Sequence, residues 1–101
     1  MDLAFRFAPE VQGDLREAFQ WYEQARPGLG ERFLLAVEDA LDFLAAKPQI
    51  YARVFEDCRR AFVRGFPYSI YYEQVGDHIF VYGILHSARD AKNWQKRITG
   101  R

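Results

Sequence analysis

Apolar and polar positions in this chain change period twice, which divides it into a short strand, two helices and a strand-rich second half. Residues 2–7, "DLAFRF", alternate, with Leu3, Phe5 and Phe7 on one side, as a strand requires. Pro9 then stands at a first helical position, where its missing N–H costs nothing. From there the spacing predicts a helix over 9–25, with Val11, Leu15, Ala18, Phe19 and Tyr22 on one stripe. Gly13 weakens it a little, and "RPGLG" (26–30) ends it. A second helix is predicted over 29–46, where Phe33, Leu34, Val37, Leu41 and Leu44 recur at spacings of three and four. Glu31, Glu38, Asp39 and Asp42 take its other side, and Pro48 stops it by pushing the residue before it out of the helical region. The link between the helices is so short that they should form an antiparallel hairpin. Neither can bury its stripe alone; each needs the other or a sheet.

The second half has the period of strands. "RAFVR" (60–64), "YSIYYEQV" (68–75) and "HIFVYGILH" (78–86) are rich in β-branched and aromatic residues. Gly76-Asp77 reads as a two-residue hairpin loop, and Gly65-Phe66-Pro67 as a tight turn. The tail "DAKNWQKR" (90–97) adds a short helix, and no repeat, linker or low-complexity segment is visible. The expected fold class is α+β: an N-terminal strand, an antiparallel helical hairpin packed on a mainly antiparallel sheet of about four strands, and a short C-terminal helix. A chain of 101 residues should make one domain, spanning 1–101.

The hairpin loop also serves as a ruler. It sets Val75 opposite His78, Tyr72 opposite Val81 and Tyr68 opposite Leu85. One face then carries Tyr68, Ile70, Tyr72, Ile79, Val81 and Leu85 and should receive the helices. The other carries Ser69, Tyr71, Glu73, Phe80, Tyr82, Ile84 and His86, a mixed aromatic face expected to be half exposed. The same ruler brings Arg64, His86 and Arg89 together at one end of the sheet.

Composition sharpens this picture. Half the residues are hydrophobic and 17% are aromatic, which argues against disorder and leaves aromatic area for a partner. The single cysteine, Cys58, reads as a small core hydrophobe in a reducing compartment. The N-terminus "MDLAFRFAPE" lacks the pattern of a signal peptide, and no apolar run approaches the roughly 20 residues of a membrane span, so a cytoplasmic protein is expected. Net charge is zero, yet residues 1–57 carry 6 Lys/Arg against 11 Asp/Glu and residues 58–101 carry 8 against 3. A −5 half and a +5 half are either two solvated faces or a basic surface for phosphates or an acidic protein.

Two arginines and a histidine at a sheet rim have the chemistry to hold and cleave a phosphodiester. Arg64 and Arg89 would grip the phosphate. His86 would protonate the leaving oxygen, and Glu73 or Glu56 are the carboxylates within reach of a base role. A strand-end histidine with rim charges is the plainer reading. Two histidines and one cysteine without paired spacing give no zinc site, "GLG" is too short for a phosphate loop, and no cofactor or metal is implied.

The chain as a whole resembles the RelE/ParE toxin superfamily of bacterial type II toxin–antitoxin systems, on its ParE or "plasmid stabilisation" side. The residues that carry the resemblance are "DLREAFQWYEQ", "GLGERF", "KPQIY", "RRAFVRGFPYSIYYEQ" and "IFVYGILHSARDAKNW" with Arg97. The resemblance implies a growth-arresting toxin neutralised by a cognate antitoxin in a hetero-oligomer. RelE-like members cleave mRNA on the ribosome, whereas ParE-like members are associated with poisoning DNA gyrase without hydrolysis. The neutral charge departs from the strongly basic ribosome-dependent members. Three readings follow: a gyrase-binding toxin, a metal-independent endoribonuclease, or a detoxified interaction module. For the first, the expected target-binding residues are Arg60, Arg64, Tyr71, Tyr82, Arg89 and Arg97; for the second, the expected catalytic residues are His86, Arg89 and Arg64.

Overall fold

The structure is a computed structural model and describes residues 3–100. A strand, β1 (Ala4–Phe7), leads into two helices, α1 (Glu10–Ala25) and α2 (Leu29–Ala46). Four strands follow, β2 (Arg53–Phe55), β3 (Cys58–Phe62), β4 (Tyr68–Val75) and β5 (His78–His86), and then α3 (Asn93–Thr99). They form one five-stranded mixed sheet in the order β1-β5-β4-β3-β2. The strands from β2 to β5 pair antiparallel, and β1 returns to pair parallel with β5, Phe5 opposite Ile79 and Phe7 opposite Val81.

The helical hairpin forms as its periodicity requires. The Glu23 carboxylate accepts N–H bonds from Gly28 and Gly30 at 2.9–3.1 Å, which clips the turn between α1 and α2. The hairpin lies on one face of the sheet. There Phe33, Val37 and Leu44 of α2 meet Ile70, Tyr72, Ile79 and Val81 in the main core, with Val11 and Ala18 of α1. Phe33 stands at the centre of an aromatic cluster with Tyr22 (5.4 Å), Phe66 (5.2 Å) and Tyr68 (4.9 Å). Burying side chains of this kind contributes about 1.5–3 kcal/mol each, so this face holds most of the fold's hydrophobic stabilisation.

Several local expectations change. The stripe of α2 is filled by Ala40 and Ala45, while Leu34 is left outside the core and exposed. The strand expected at 60–64 runs Cys58–Phe62, since a short β2, not foreseen, pairs with β3 and draws it toward its N-terminal side. The tail helix begins at Asn93 instead of 90, because 87–92 wind into turns. Residue 2, assigned to the first strand, lies outside the described residues.

The sheet's second face is the larger correction. It is covered by α3: Trp94 and Ile98 close over Cys58, Tyr71 and Leu85 in a second core. Tyr71 is 2% exposed and its ring stacks on Trp94 at 5.4 Å and 4°. The face expected to be half open is therefore sealed over this part. A seven-residue helix with one aromatic and one aliphatic anchor suffices to do it.

Candidate functional site

The hairpin loop forms as predicted, with Gly76 at φ 60, a value that favours glycine. The first part of the register also holds, Val75 opposite His78 and Tyr72 opposite Val81. Beyond that the pairing slips. Tyr71 faces Gly83, so Tyr82 is an extra residue, and Tyr68 faces His86 instead of Leu85. A bulge of this kind inverts every later side chain. Ile84 thus enters the main core, Leu85 crosses to the α3 side, and His86 lands on the helical face beside Tyr68.

An ion pair is built into the bulge. Arg97 of α3 contacts Asp14 of α1 through both guanidinium nitrogens, at 2.6 and 2.9 Å. The same guanidinium donates to the Tyr82 carbonyl at 3.2 Å, and Asp14 accepts the Ile84 N–H at 3.1 Å. The pair therefore serves backbone groups on both sides of Gly83. A Cβ at that position would stand 2.9 Å from the Arg97 guanidinium, so any other residue there would displace the end of that side chain. The hydrogen bond that Arg97 donates to Asp14, together with the charge of that carboxylate, raises the Arg97 pKa against the cost of burial.

At the end of β5 the chain wraps around His86. Its Nδ1 accepts the N–H groups of Ala88 (3.2 Å) and Arg89 (2.9 Å), while the His86 backbone N–H donates to Asp90 Oδ2 (3.1 Å). Asp90 N–H returns to the His86 carbonyl at 3.0 Å. An Nδ1 that accepts two N–H groups carries no proton, which assigns the ring its Nε2–H form. Beneath it the Ser69 and Ser87 hydroxyls meet at 2.8 Å. Arg89 reaches the Tyr68 hydroxyl at 3.2 Å and lies 3.8 Å from Asp90. Burial opposes its charge, but Tyr68, Asp90 and Glu17 outweigh that and raise its pKa. Tyr22 nearby is raised too, first by burial and then by Tyr68.

Arg89 opens onto a cleft of about 440 Å³ between α1, the end of β5 and α3. Arg89, Lys96 and Arg97 line it, but so do Glu10, Asp14, Glu17 and Asp90. Three cationic groups against four carboxylates give an anion no net attraction there. Arg64 does not share this cleft; it lies in the turn before β4 and lines two other cavities, on the outer side of α2. The expected convergence of Arg64 with His86 and Arg89 thus reduces to His86, Arg89 and Tyr68.

The remaining sequence candidates are dispersed. Arg60 lies over the Phe62 ring at 5.2 Å. Tyr82 donates to Glu73 at 2.9 Å on the face away from His86. Glu56 is an exposed turn residue at φ 49. Cys58 is buried as expected, and burial pushes its thiol up to about 12. Asp14, Tyr68 and Asp90 were missed. Asp14 gave no signal, sitting on a helix 83 positions from Arg97. Gly83 did, since a glycine inside a strand often marks a bulge. Among the described residues no helix is long and apolar enough to cross a membrane.

Comparison with known proteins extends this geometry. A family model described as "ParE toxin of type II toxin-antitoxin system, parDE" matches residues 5–91. Curated relatives named Toxin ParE2, from Mycobacterium tuberculosis strains CDC 1551 / Oshkosh and ATCC 25618 / H37Rv, are each 27% identical over 92 residues, covering 90% of this chain and 88% of theirs. Among solved structures, the chromosomal ParDE system from P. aeruginosa superposes with a TM-score of 0.63 at 18% identity, over 83% of this chain and 95% of that one. A variant of the E. coli toxin RelE in the free state gives 0.63 at 16% identity, over 100% and 98%. At such identities the two structures speak for the fold alone.

Proposed function

Because the chain belongs to the ParE toxin family of type II toxin–antitoxin systems, we propose that it arrests growth by binding and inhibiting DNA gyrase, without hydrolysing a substrate, and that a cognate antitoxin neutralises it. The observation that carries this reading is the state of the three residues a nuclease would need. The His86 Nδ1 is committed to the turn that follows it. Arg89 faces a cleft richer in carboxylates than in cations, and Arg64 opens elsewhere. Glu73, one of the two base candidates, is bonded to Tyr82 on the opposite face. A phosphodiester brought to His86 would meet one arginine, a phenol and a field of acids.

One observation favours the endoribonuclease instead: His86, Arg89 and the Tyr68 hydroxyl do meet at one end of the sheet. The two readings separate in cells. Expression of the chain should stop growth, and co-expression of the adjacent reading frame should restore it. Pulse labelling of the arrested cells should find DNA synthesis failing before protein synthesis. If protein synthesis stops first and mRNA is cut at ribosome-bound positions, the endoribonuclease reading replaces this one. If expression is harmless without any antitoxin, the chain is an interaction module and both fail.

A further inference from the structure

Arg26, Arg32 and Arg64, distant in sequence, open onto one cavity of about 580 Å³ at the tip of the helical hairpin, beside the Gly65-Phe66-Pro67 turn. Among the described residues none of the three side chains makes a hydrogen bond or an ion pair. Asp39 is the one carboxylate lining the cavity, and it stays beyond ion-pair distance of all three. Glu23, the acid nearest Arg26 in sequence, turns its carboxylate onto Gly28 and Gly30. The charge is thus concentrated and unanswered, the reverse of the cleft at Arg89. The split of the chain into an acidic and a basic half hides it, because Arg26 and Arg32 belong to the acidic half.

From this juxtaposition we infer that the cavity is a binding site for the phosphodiester backbone of a nucleic acid strand. Guanidinium groups are planar donors matched to phosphate oxygens, and three at one opening repel one another until an anion enters. A strand delivers closely spaced phosphates to such an opening, whereas a peptide must bring acidic side chains of its own in the right register. The exposed apolar neighbour Leu35 suits the sugar and base edges of a strand lying across the opening. The site is separate from the His86–Arg89 end of the sheet and does not depend on which target the toxin has.

The test is fluorescence anisotropy with a labelled single-stranded oligothymidylate at low salt. It compares the wild-type chain, the triple variant R26Q/R32Q/R64Q, each single variant, and R16Q as a control on exposed α1 surface. The affinity of the wild-type chain should fall with salt with a log–log slope of about 2, as for three phosphates on a single strand. Each single variant should weaken binding and flatten that slope, and the triple variant should lose roughly tenfold or more. R16Q should match wild type, and circular dichroism of every variant should be unchanged, since all four side chains are exposed. Absence of binding by the wild-type chain overturns the inference, as does an equal loss in R16Q. Displacement of the oligonucleotide by polyglutamate at equal charge concentration also overturns it, because the site would then take carboxylates. Growth arrest is scored separately, so loss of oligonucleotide binding with toxicity retained leaves the proposed function standing.

Discussion

His86 was legible as the residue to watch, but its role turns on which ring nitrogen faces the backbone. With Nδ1 accepting from Ala88 and Arg89, it positions the turn that carries Arg89, and on the proposed reading it does not serve as an acid. An asparagine can offer an oxygen where Nδ1 now sits. His86→Asn should therefore keep growth arrest nearly intact in a plating assay, with His86→Ala weaker through loss of the turn. An acid role would instead cost the asparagine variant about 10²–10⁴-fold. Cys58 makes a separate prediction. Its thiol and the Tyr72 phenol are both raised to about 12, chiefly by burial, from ordinary values of 9.0 and 10.0. Both groups stay neutral in the folded chain while they ionise in the unfolded one. Their contribution is thus complete below pH 9 and is lost as pH climbs toward 12. Thermal unfolding followed across that range should show a falling Tm, with a smaller fall in Cys58→Ala. Thiol reagents at neutral pH should label Cys58 only when the protein is unfolded.

The elements themselves were mostly written in the periodicity: both helices, the two long strands and the loop between them formed where the pattern changes from 3.6 to 2. What the pattern could not carry was the bulge. Period-two reading assumes unbroken alternation, and Tyr82 breaks it to let Arg97 and Asp14 bind the backbone around Gly83. The result moved Ile84, Leu85 and His86 to faces opposite those expected, and with them the predicted cluster. Nor could periodicity foresee that α3 would close over Tyr71, since seven residues give no amphipathic signal to count. The ion pair is the fastener of this arrangement, with side chains 22% and 8% exposed for Arg97 and Asp14. Arg97→Ala strands a mostly buried carboxylate and should cost about 3 kcal/mol. For a chain of this length that is a drop in Tm of roughly 10–20 °C by calorimetry. Gly83→Ala should cost about 1–3 kcal/mol by forcing the guanidinium aside. The two changes should be less than additive, because both disrupt one contact.

At the scale of the molecule, charge and surface follow from the same packing. The sheet's second face is closed by α3, and the cleft at its end is balanced or slightly acidic. Exposed apolar side chains lie on the outer side of the hairpin and near β3, where Leu35, Phe43 and Phe62 line cavities with Arg64. On the proposed reading, a chain built this way acts by presenting surface to a partner and not by cleaving a bond. That is the central claim, and the fold and family were readable from sequence well before it, because they rest on periodicity and on motifs spread over most of the chain. The site was not, because it depends on one inserted residue and one long-range ion pair. The most direct measurement is DNA supercoiling by purified gyrase with this protein added at micromolar concentration. Supercoiled product should be lost as the protein is titrated in and should return when the antitoxin is added. Undiminished supercoiling, from a preparation that still arrests growth, would contradict that claim.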